Sequence, residues 1–230
     1  MAGIRKKSPV RIALTGGIGS GKSTALTMFA ARKAAVLNSD NVVHKLLQRR
    51  DVRDRVAASL GIGSLSAGEE GRTALADTVF ADEAKLDRLE AIMFPLVREA
   101  MESWLQSEEV RSAPLAVVEL PMLFEAGMED MFDHIVLITA PVETRQSRYA
   151  GRVARDDFQR RAAHQLSEEE KRVRSGFVYE NTGSPEELDE FVAAMVEAVT
   201  GGLTPPGDVS GKDGLADADE PSGPRPGGTA

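Results

Sequence analysis

A glycine-rich run near the start of the chain carries its clearest chemical signal. Residues 16–24 read GGIGSGKST and fit G-x-x-x-x-G-K-[ST], the phosphate-binding loop of proteins that hydrolyse or transfer nucleotides. Glycines let the backbone curl so that successive N–H groups point at one anion, and the following helix adds the positive end of its dipole. We expect Lys22 to reach the β- and γ-phosphates of ATP and the Ser23 hydroxyl to ligate Mg²⁺. The nucleotide-binding residues that the motif predicts are Gly17, Gly19, Ser20, Gly21, Lys22, Ser23 and Thr24.

The sequence on either side supplies the strand and the helix that such a loop requires. Residues 10–15 (VRIALT) form an apolar, β-branched run typical of a buried strand, and residues 25–30 (ALTMFA) favour a helix. The plain alternative is a glycine-rich turn with a surface lysine. The order of strand, loop and helix favours the nucleotide site.

Four further runs, at residues 34–37, 115–120, 134–139 and 176–179, are predicted as strands, and helical stretches lie between them. This alternation predicts an α/β fold, with about five parallel strands and helices on both faces of the sheet. Ligands of such sheets bind beyond the carboxyl ends of the strands, so the residues that follow each strand are the candidates for chemistry.

The rest of the chain divides into helical stretches and a polar tail. Residues 41–109 are predicted to be helical, with a loop at 60–71 and a kink or break at Pro95. Ser184 as cap and Pro185 as first residue begin a helix that runs to about residue 199. Because residues 201–230 are crowded with Gly, Pro and Asp, they are predicted to be a disordered tail after one domain at 9–200.

Composition narrows the classes of function. The chain has 230 residues, a formal net charge of -8 and no cysteine. The negative charge argues against binding of nucleic acid or anionic membranes, and the lack of cysteine excludes disulfides, thiol nucleophiles and cysteine metal sites. The apolar runs are too short for a signal peptide or a membrane span, so we expect a soluble cytoplasmic protein.

Two acidic residues follow predicted strands near the glycine loop. Asp40, after the second strand, suits a base that orients an acceptor hydroxyl and takes its proton. Its alternative role is a helix cap, for which Ser39 is equally suitable. Glu119 ends an apolar strand, and because a buried charge is costly, contact with Mg²⁺ or substrate would explain it.

Four arginines recur at helical spacing, at positions 145, 148, 152 and 155. If residues 143–154 form one helix, all four lie on one face. That face would close over ATP as a lid, stabilise charge on the transferred phosphoryl group and exclude water, with Arg148 and Arg152 as the main contributors. The alternative is a solvated basic face.

Taken together, the loop, Asp40 and several later segments resemble the dephospho-coenzyme A kinase family. Matching segments are VLNSD at 36–40, LPMLFEAGM at 120–128, AHQ at 163–165, EKR at 170–172 and ENTGS at 180–184. The resemblance implies phosphorylation of the ribose 3′-hydroxyl of dephospho-CoA by Mg·ATP. It also implies a helical CoA-binding insertion at 41–109 and a lid at 143–174. By the same resemblance, Asp40 would be the base, Arg148 and Arg152 would belong to the lid, and Asn181 and Gly183 would lie near the adenine.

This chain departs from the family pattern at a few positions. Asn38 stands where the family has the first Asp of its second-strand motif, and Phe94 stands where the family has a His before the proline. Glu119 replaces an Asp that many members have, and Val153 replaces the Asp that is usual in the lid.

Other interpretations of the same residues stay open at this stage. A different small-molecule or nucleoside monophosphate kinase would use the same loop and lid, and so would a non-catalytic nucleotide or CoA sensor. A GTPase would need a guanine-reading Asn-Lys-x-Asp and a transporter ATPase a Gly-Gly-Gln signature, and the sequence contains neither. We expect the substrates ATP and dephospho-CoA, and a monomer or weak homo-oligomer.

Overall fold

The computed structural model describes residues 8–150 and 162–201 and contains one five-stranded sheet. The strand order is β2-β3-β1-β4-β5 and every neighbouring pair is parallel, which confirms the predicted α/β class. The strands are β1 (Val10–Thr15), β2 (Ala35–Asn38), β3 (Leu115–Glu119), β4 (His134–Thr139) and β5 (Phe177–Glu180).

Helices connect the strands and cover both faces of the sheet. They are α1 (Lys22–Ala31), α2 (Ser39–Gln48), α3 (Arg50–Leu60), α4 (Gly68–Phe80), α5 (Glu83–Leu105), α6 (Glu108–Ser112), α7 (Val142–Ala150), α8 (Glu168–Arg174) and α9 (Pro185–Gly201), with a 3₁₀ turn at Glu129–Met131.

Alternate residues of strands β1 to β4 pack into two separate cores. Ile12 and Leu14 of β1 face a core closed by α1 and α9, whereas Ala13 faces the core that contains α2 to α6. This alternation is the period of two that a strand imposes on its side chains. Helices α2 to α6 all lie in one insertion between β2 and β3.

One local prediction within the insertion is wrong, and of the kink or break predicted at Pro95 the break does not occur. The loop predicted at 60–71 ends at residue 67, because α4 begins at Gly68. Gly71 belongs to this helix, and a Cβ there would lie 1.9 Å from the Ser66 carbonyl oxygen, so the glycine permits close packing. Pro95 does not break α5, which is continuous from Glu83 to Leu105. Burial of the apolar side chains of this helix stabilises it by more free energy than the backbone hydrogen bond lost at Pro95 costs.

The register aligns the ends of the strands that carry the predicted site. Glu119, the last residue of β3, pairs with Leu14 of β1 on one side and with Asn38 of β2 on the other. On the far side of β1, Thr139 of β4 pairs with Glu180 of β5. The glycine loop, Asp40 and Glu119 therefore meet at one edge of the sheet.

Two predicted segments lie wholly or partly outside the described residues. Arg152 and Arg155 fall in 151–161, so the lid predicted at 143–174 is described only as α7 and as residues 162–174. The predicted tail at 201–230 is described only at Gly201, where α9 ends.

Candidate active site

The glycine loop joins β1 to α1 at the carboxyl edge of the sheet. Gly16, Gly19 and Gly21 have positive φ angles of 140°, 78° and 105°, a region that favours glycine. A Cβ on Gly21 would also lie 2.3 Å from Nδ2 of Asn181, which donates a hydrogen bond to the Ser20 carbonyl at 2.8 Å. Glycine is thus required here by the backbone angle and by the close approach of Asn181.

Lys22 is buried at the beginning of α1, with 6% of its surface exposed. Its Nζ donates a hydrogen bond to the Gly17 carbonyl at 2.8 Å. Burial lowers the pKa of the ammonium to about 8, while the nearby carboxylates of Glu119 and Asp40 act to raise it. A buried ammonium gains strongly from an anion, so this position suits a phosphate-binding lysine.

Ser23 and Glu119 bring two oxygen ligands together next to Lys22. The Ser23 hydroxyl donates to Oε1 of Glu119 at 2.9 Å, and Nδ2 of Asn38 donates to Oε2 of the same carboxylate at 2.7 Å. Glu119 is 4% exposed, and both of its oxygens are hydrogen-bonded. A hydroxyl beside a carboxylate is the oxygen chemistry that Mg²⁺ prefers, so the two residues fit the predicted metal site. Thr24, the last residue of the motif, is exposed on α1.

Asp40 lies in the first turn of α2 and is exposed. The expectation that Ser39 or Asp40 caps this helix is wrong, because Oδ1 of Asn38 accepts the hydrogen bond from the Asn41 N–H at 3.1 Å. The Asp40 carboxylate is therefore available for another role. Asp40 lies two residues beyond Asn38, which pairs with Glu119 at the end of β3, so it lies at the same edge of the sheet as the phosphate loop.

The beginning of α8, within the predicted lid, contacts the phosphate loop through Glu168. Oε1 of Glu168 accepts a hydrogen bond from the Gly17 N–H at 3.2 Å and lies 3.8 Å from Nη1 of Arg145. The Thr139 hydroxyl donates to the other oxygen of the carboxylate. Arg145 is 7% exposed, so this member of the arginine series is buried and the interpretation as a solvated face is wrong for it.

Sequence reasoning missed Glu168. The residue belongs to three consecutive glutamates at the start of α8, which resemble an ordinary solvated helix terminus. It is 151 positions away from Gly17 along the chain, and although Ser167 and Glu170 form a capping box, no local pattern distinguishes Glu168 from Glu169.

The remaining predicted residues lie near the end of β5. Arg148 is exposed on α7, and its Nη2 donates a hydrogen bond to the Asn181 carbonyl at 3.2 Å. The Asn181 N–H donates to the Thr139 carbonyl at 2.7 Å, which extends the contacts of β5 with β4. Gly183 is exposed two residues later, just before α9. These contacts hold α7 beside the loop that follows β5.

A buried ion pair connects α8 to the segment that follows β3. Nζ of Lys171 lies 3.1 Å from Oε1 of Glu125 and donates to the Pro121 carbonyl at 2.9 Å, and the lysine is 1% exposed. Glu125 also accepts from the Leu166 N–H at 2.7 Å. Because a buried pair is costly to break, it fixes α8, and with it Glu168, against the sheet.

A cavity lies in the helical insertion, along the same helix that carries Asp40. It is small: about 10 Å³ is wide enough for the centre of a water-sized group, and the gap of about 230 Å³ between the lining atoms includes space open to solvent. His44 and Gln48, one and two turns beyond Asp40 on α2, contribute to its wall, and His44 Nε2 is 2.9 Å from Gln48 Nε2. The other lining residues are Leu47, Leu65, Ser66, Gly68, Gly71, Arg72 and Leu75.

Comparison with protein families gives a match over most of the chain. The family model described as dephospho-CoA kinase matches residues 10–187.

No helix in the described ranges 8–150 and 162–201 is long and apolar enough to cross a membrane.

Individual relatives agree with the family match. A dephospho-CoA kinase of Thermus thermophilus is 36% identical over 202 residues, which cover 87% of this chain and 97% of that protein. A dephospho-CoA kinase of Latilactobacillus sakei is 32% identical over 191 residues, or 82% of this chain and 95% of that protein.

Solved structures show the same fold. TT1252 from Thermus thermophilus has a TM-score of 0.68 and 35% identity, with 86% of this chain and 100% of that chain covered. A dephospho-CoA kinase from Campylobacter jejuni, at 21% identity, has a TM-score of 0.61 over 84% of this chain and 98% of that chain, and supports the fold alone.

Proposed function

Because this chain belongs to the dephospho-CoA kinase family, we propose that it transfers the γ-phosphoryl group of ATP to the ribose 3′-hydroxyl of dephospho-CoA. The products are CoA and ADP, and the reaction is the last step of CoA synthesis. The observation that carries this proposal is the sheet edge at which the glycine loop with Lys22, Glu119 and Asp40 follow or end three neighbouring parallel strands. A buried ammonium that can bind phosphate and a nearby carboxylate that can take a proton are the two groups that the reaction needs.

The donor side would be formed by the glycine loop and α7. The backbone N–H groups of the loop and the Lys22 ammonium bind the phosphates of ATP. Arg148 and Arg152 would contribute positive charge from the lid as charge develops on the transferred group. Asn181 and Gly183, beyond β5, would border the adenine.

The acceptor side would be formed by α2 and the rest of the insertion. Asp40 orients the 3′-hydroxyl of the ribose and accepts its proton while the hydroxyl oxygen attacks the γ-phosphorus. The bond to the β,γ-bridging oxygen breaks, and ADP leaves with that oxygen. The remainder of dephospho-CoA would extend along α2 toward the cavity at His44 and Gln48, within a CoA-binding insertion at 41–109.

Mg²⁺ would be held by Ser23 and Glu119, which supply the hydroxyl and the carboxylate described above. When bound with ATP, the ion neutralises charge on the β- and γ-phosphates. We also propose that the protein works in the cytoplasm as a monomer or weak homo-oligomer. The net charge of -8 argues against nucleic acid or anionic membranes as partners.

A coupled ADP-release assay with Mg·ATP and dephospho-CoA, with the product identified by mass, tests the proposal. We expect CoA as product, and we expect Lys22→Ala to abolish transfer while the folded circular-dichroism spectrum is kept. Faster ADP release with a nucleoside monophosphate or another small alcohol than with dephospho-CoA would overturn the assigned acceptor. Near wild-type turnover in Lys22→Ala would overturn the assigned phosphate loop.

A further inference from the structure

Asn38 connects three parts of the site through one side chain. It is the last residue of β2 and the N-cap of α2, the helix that carries Asp40. Its Oδ1 accepts from the Asn41 N–H at 3.1 Å, and its Nδ2 donates to Oε2 of Glu119 at 2.7 Å. A single amide therefore joins the beginning of α2 to the carboxylate on the neighbouring strand.

The geometry of Glu119 depends on this donor. The carboxylate is nearly inaccessible to water, so each of its oxygens needs a partner in the protein. Ser23 donates to one oxygen and Asn38 to the other. With Oε2 held by Asn38, Oε1 is directed at the hydroxyl of Ser23.

The two functions together require an amide at position 38. The cap needs an acceptor, which Ser, Thr or Asp would also supply. The bond to Glu119 needs a donor long enough to reach across to β3 in the register that pairs the two residues. Asparagine offers an acceptor and a donor at the end of the same short side chain.

We propose that Asn38 is a positioning residue that acts through Glu119: its amide orients the carboxylate toward Ser23 and thereby sets the affinity for the nucleotide-bound divalent cation. The same side chain fixes the start of α2, so the metal side and the Asp40 side of the site keep a constant separation. This inference rests on the proposed kinase function, because it assigns Asn38 a part in that reaction.

A double-mutant cycle separates this role from simple helix capping. Asn38→Ser keeps a capping acceptor but loses the donor to Glu119, and Glu119→Gln removes the charge through which Asn38 acts. Ser107→Ala is the matched control, since Ser107 caps α6 by accepting from the Val110 N–H at 3.3 Å. α6 precedes β3, so this cap lies toward the opposite edge of the sheet.

The readouts are the affinity for Mn²⁺ in the complex with a non-hydrolysable ATP analogue, measured by electron paramagnetic resonance, and kcat with dephospho-CoA. We expect Asn38→Ser to weaken Mn²⁺ binding and lower kcat by about tenfold each, the scale of a lost hydrogen bond to a charged group. We expect the same change to add little in the Glu119→Gln background, because residues that act as one unit are not additive. Ser107→Ala should change neither quantity.

Two results would overturn the inference. In the first, Asn38→Ser keeps the wild-type Mn²⁺ affinity and kcat and only its melting temperature is lowered, which would show that Asn38 is no more than a helix cap. The other is fully additive losses in the double variant, which would show that Asn38 does not act through Glu119. The proposed function can fail separately, if the wild-type protein binds Mn²⁺ with the analogue but does not phosphorylate dephospho-CoA. In that case the Mn²⁺ affinities of the single and double variants still decide whether Asn38 acts through Glu119.

Discussion

The two sides of the site differ in how far their polar groups are already engaged within the protein. On the donor side, Lys22, Ser23, Asn181 and Glu168 all make hydrogen bonds that hold the glycine loop in place. On the proposed acceptor side, the cavity wall includes His44, whose buried Nδ1 has no hydrogen-bond partner in the part of the chain that the structure describes. Ser20 Oγ is the exception on the donor side, because this buried hydroxyl of the loop also has no partner among the described residues. The main phosphate-loop contacts are nevertheless already formed, whereas on the proposed acceptor side one ring nitrogen of His44 is left without a partner in the described ranges.

This difference predicts how substitutions on each side will act. A change on the donor side disturbs a network that orients the reacting phosphate, so it should lower kcat or the affinity for ATP. A change in the cavity should affect only the affinity for the acceptor. Asp40 lies at the boundary, and its substitution tests whether chemistry can be separated from binding of either substrate.

Asp40→Asn should have the largest effect among the three predictions that follow. The amide can still accept a hydrogen bond from the 3′-hydroxyl, but it cannot take the proton, so we expect kcat to fall by about 10² or more. The Michaelis constants for ATP and dephospho-CoA should change little, since contacts outside the proton transfer are kept. Steady-state kinetics with both substrates varied measures the three quantities.

Asp51→Asn is the matched control for Asp40. Asp51 lies in the first turn of α3, as Asp40 lies in the first turn of α2, and its carboxylate pairs with Arg49 on the exposed surface. An exposed ion pair contributes little, so kcat should stay at the wild-type value. A loss in Asp40→Asn no larger than that in Asp51→Asn would remove Asp40 from the chemistry.

Glu168→Gln should have an intermediate effect, confined to the donor side. Glutamine keeps an acceptor for the Gly17 N–H but loses the charge that faces Arg145. We expect kcat/KM for ATP to fall by about tenfold, the scale of a lost charge-assisted bond, with the Michaelis constant for dephospho-CoA unchanged. Initial rates with each substrate varied at saturating levels of the other measure both quantities.

Glu169→Gln provides the comparison for Glu168. Glu169 is the next residue of α8 and is exposed, so its kinetics should match the wild type. Equal effects of the two changes would mean that only the general charge of this helix terminus matters. An equal rise in both Michaelis constants in Glu168→Gln would contradict the separation between the two sides.

The donor side could be predicted from the sequence because its main residues are contiguous. Residues 16–24 specify, within nine positions, a turn whose backbone N–H groups can bind an anion and the start of a helix. The runs of apolar residues predict the five strands around them. The sequence does not determine the cap of α2, because Asn38, Ser39 and Asp40 are all good caps and only the observed end of β2 distinguishes them.

Contacts between distant residues could not be predicted in the same way. Asn38 meets Glu119 across 81 positions, and Glu168 meets Gly17 across 151. Such pairs depend on strand order and on the angle at which α8 packs, neither of which has a local signature. The cavity depends on the beginning of α4, where Gly68 and Gly71 suggested a loop although they are part of a helix.

His44→Ala should have the smallest effect, and one that is confined to the acceptor. His44 is held 2.9 Å from Gln48 and lines the cavity one turn beyond Asp40, so removing the ring takes away one polar contact for the bound substrate. We expect the Michaelis constant for dephospho-CoA to rise about fivefold, the scale of one neutral hydrogen bond, with kcat and the Michaelis constant for ATP unchanged. Lys45→Ala, at the exposed neighbouring position on α2, should behave as the wild type. A rise in the ATP constant would show that the two sides are coupled through α2, and an unchanged dephospho-CoA constant would place the acceptor outside the cavity.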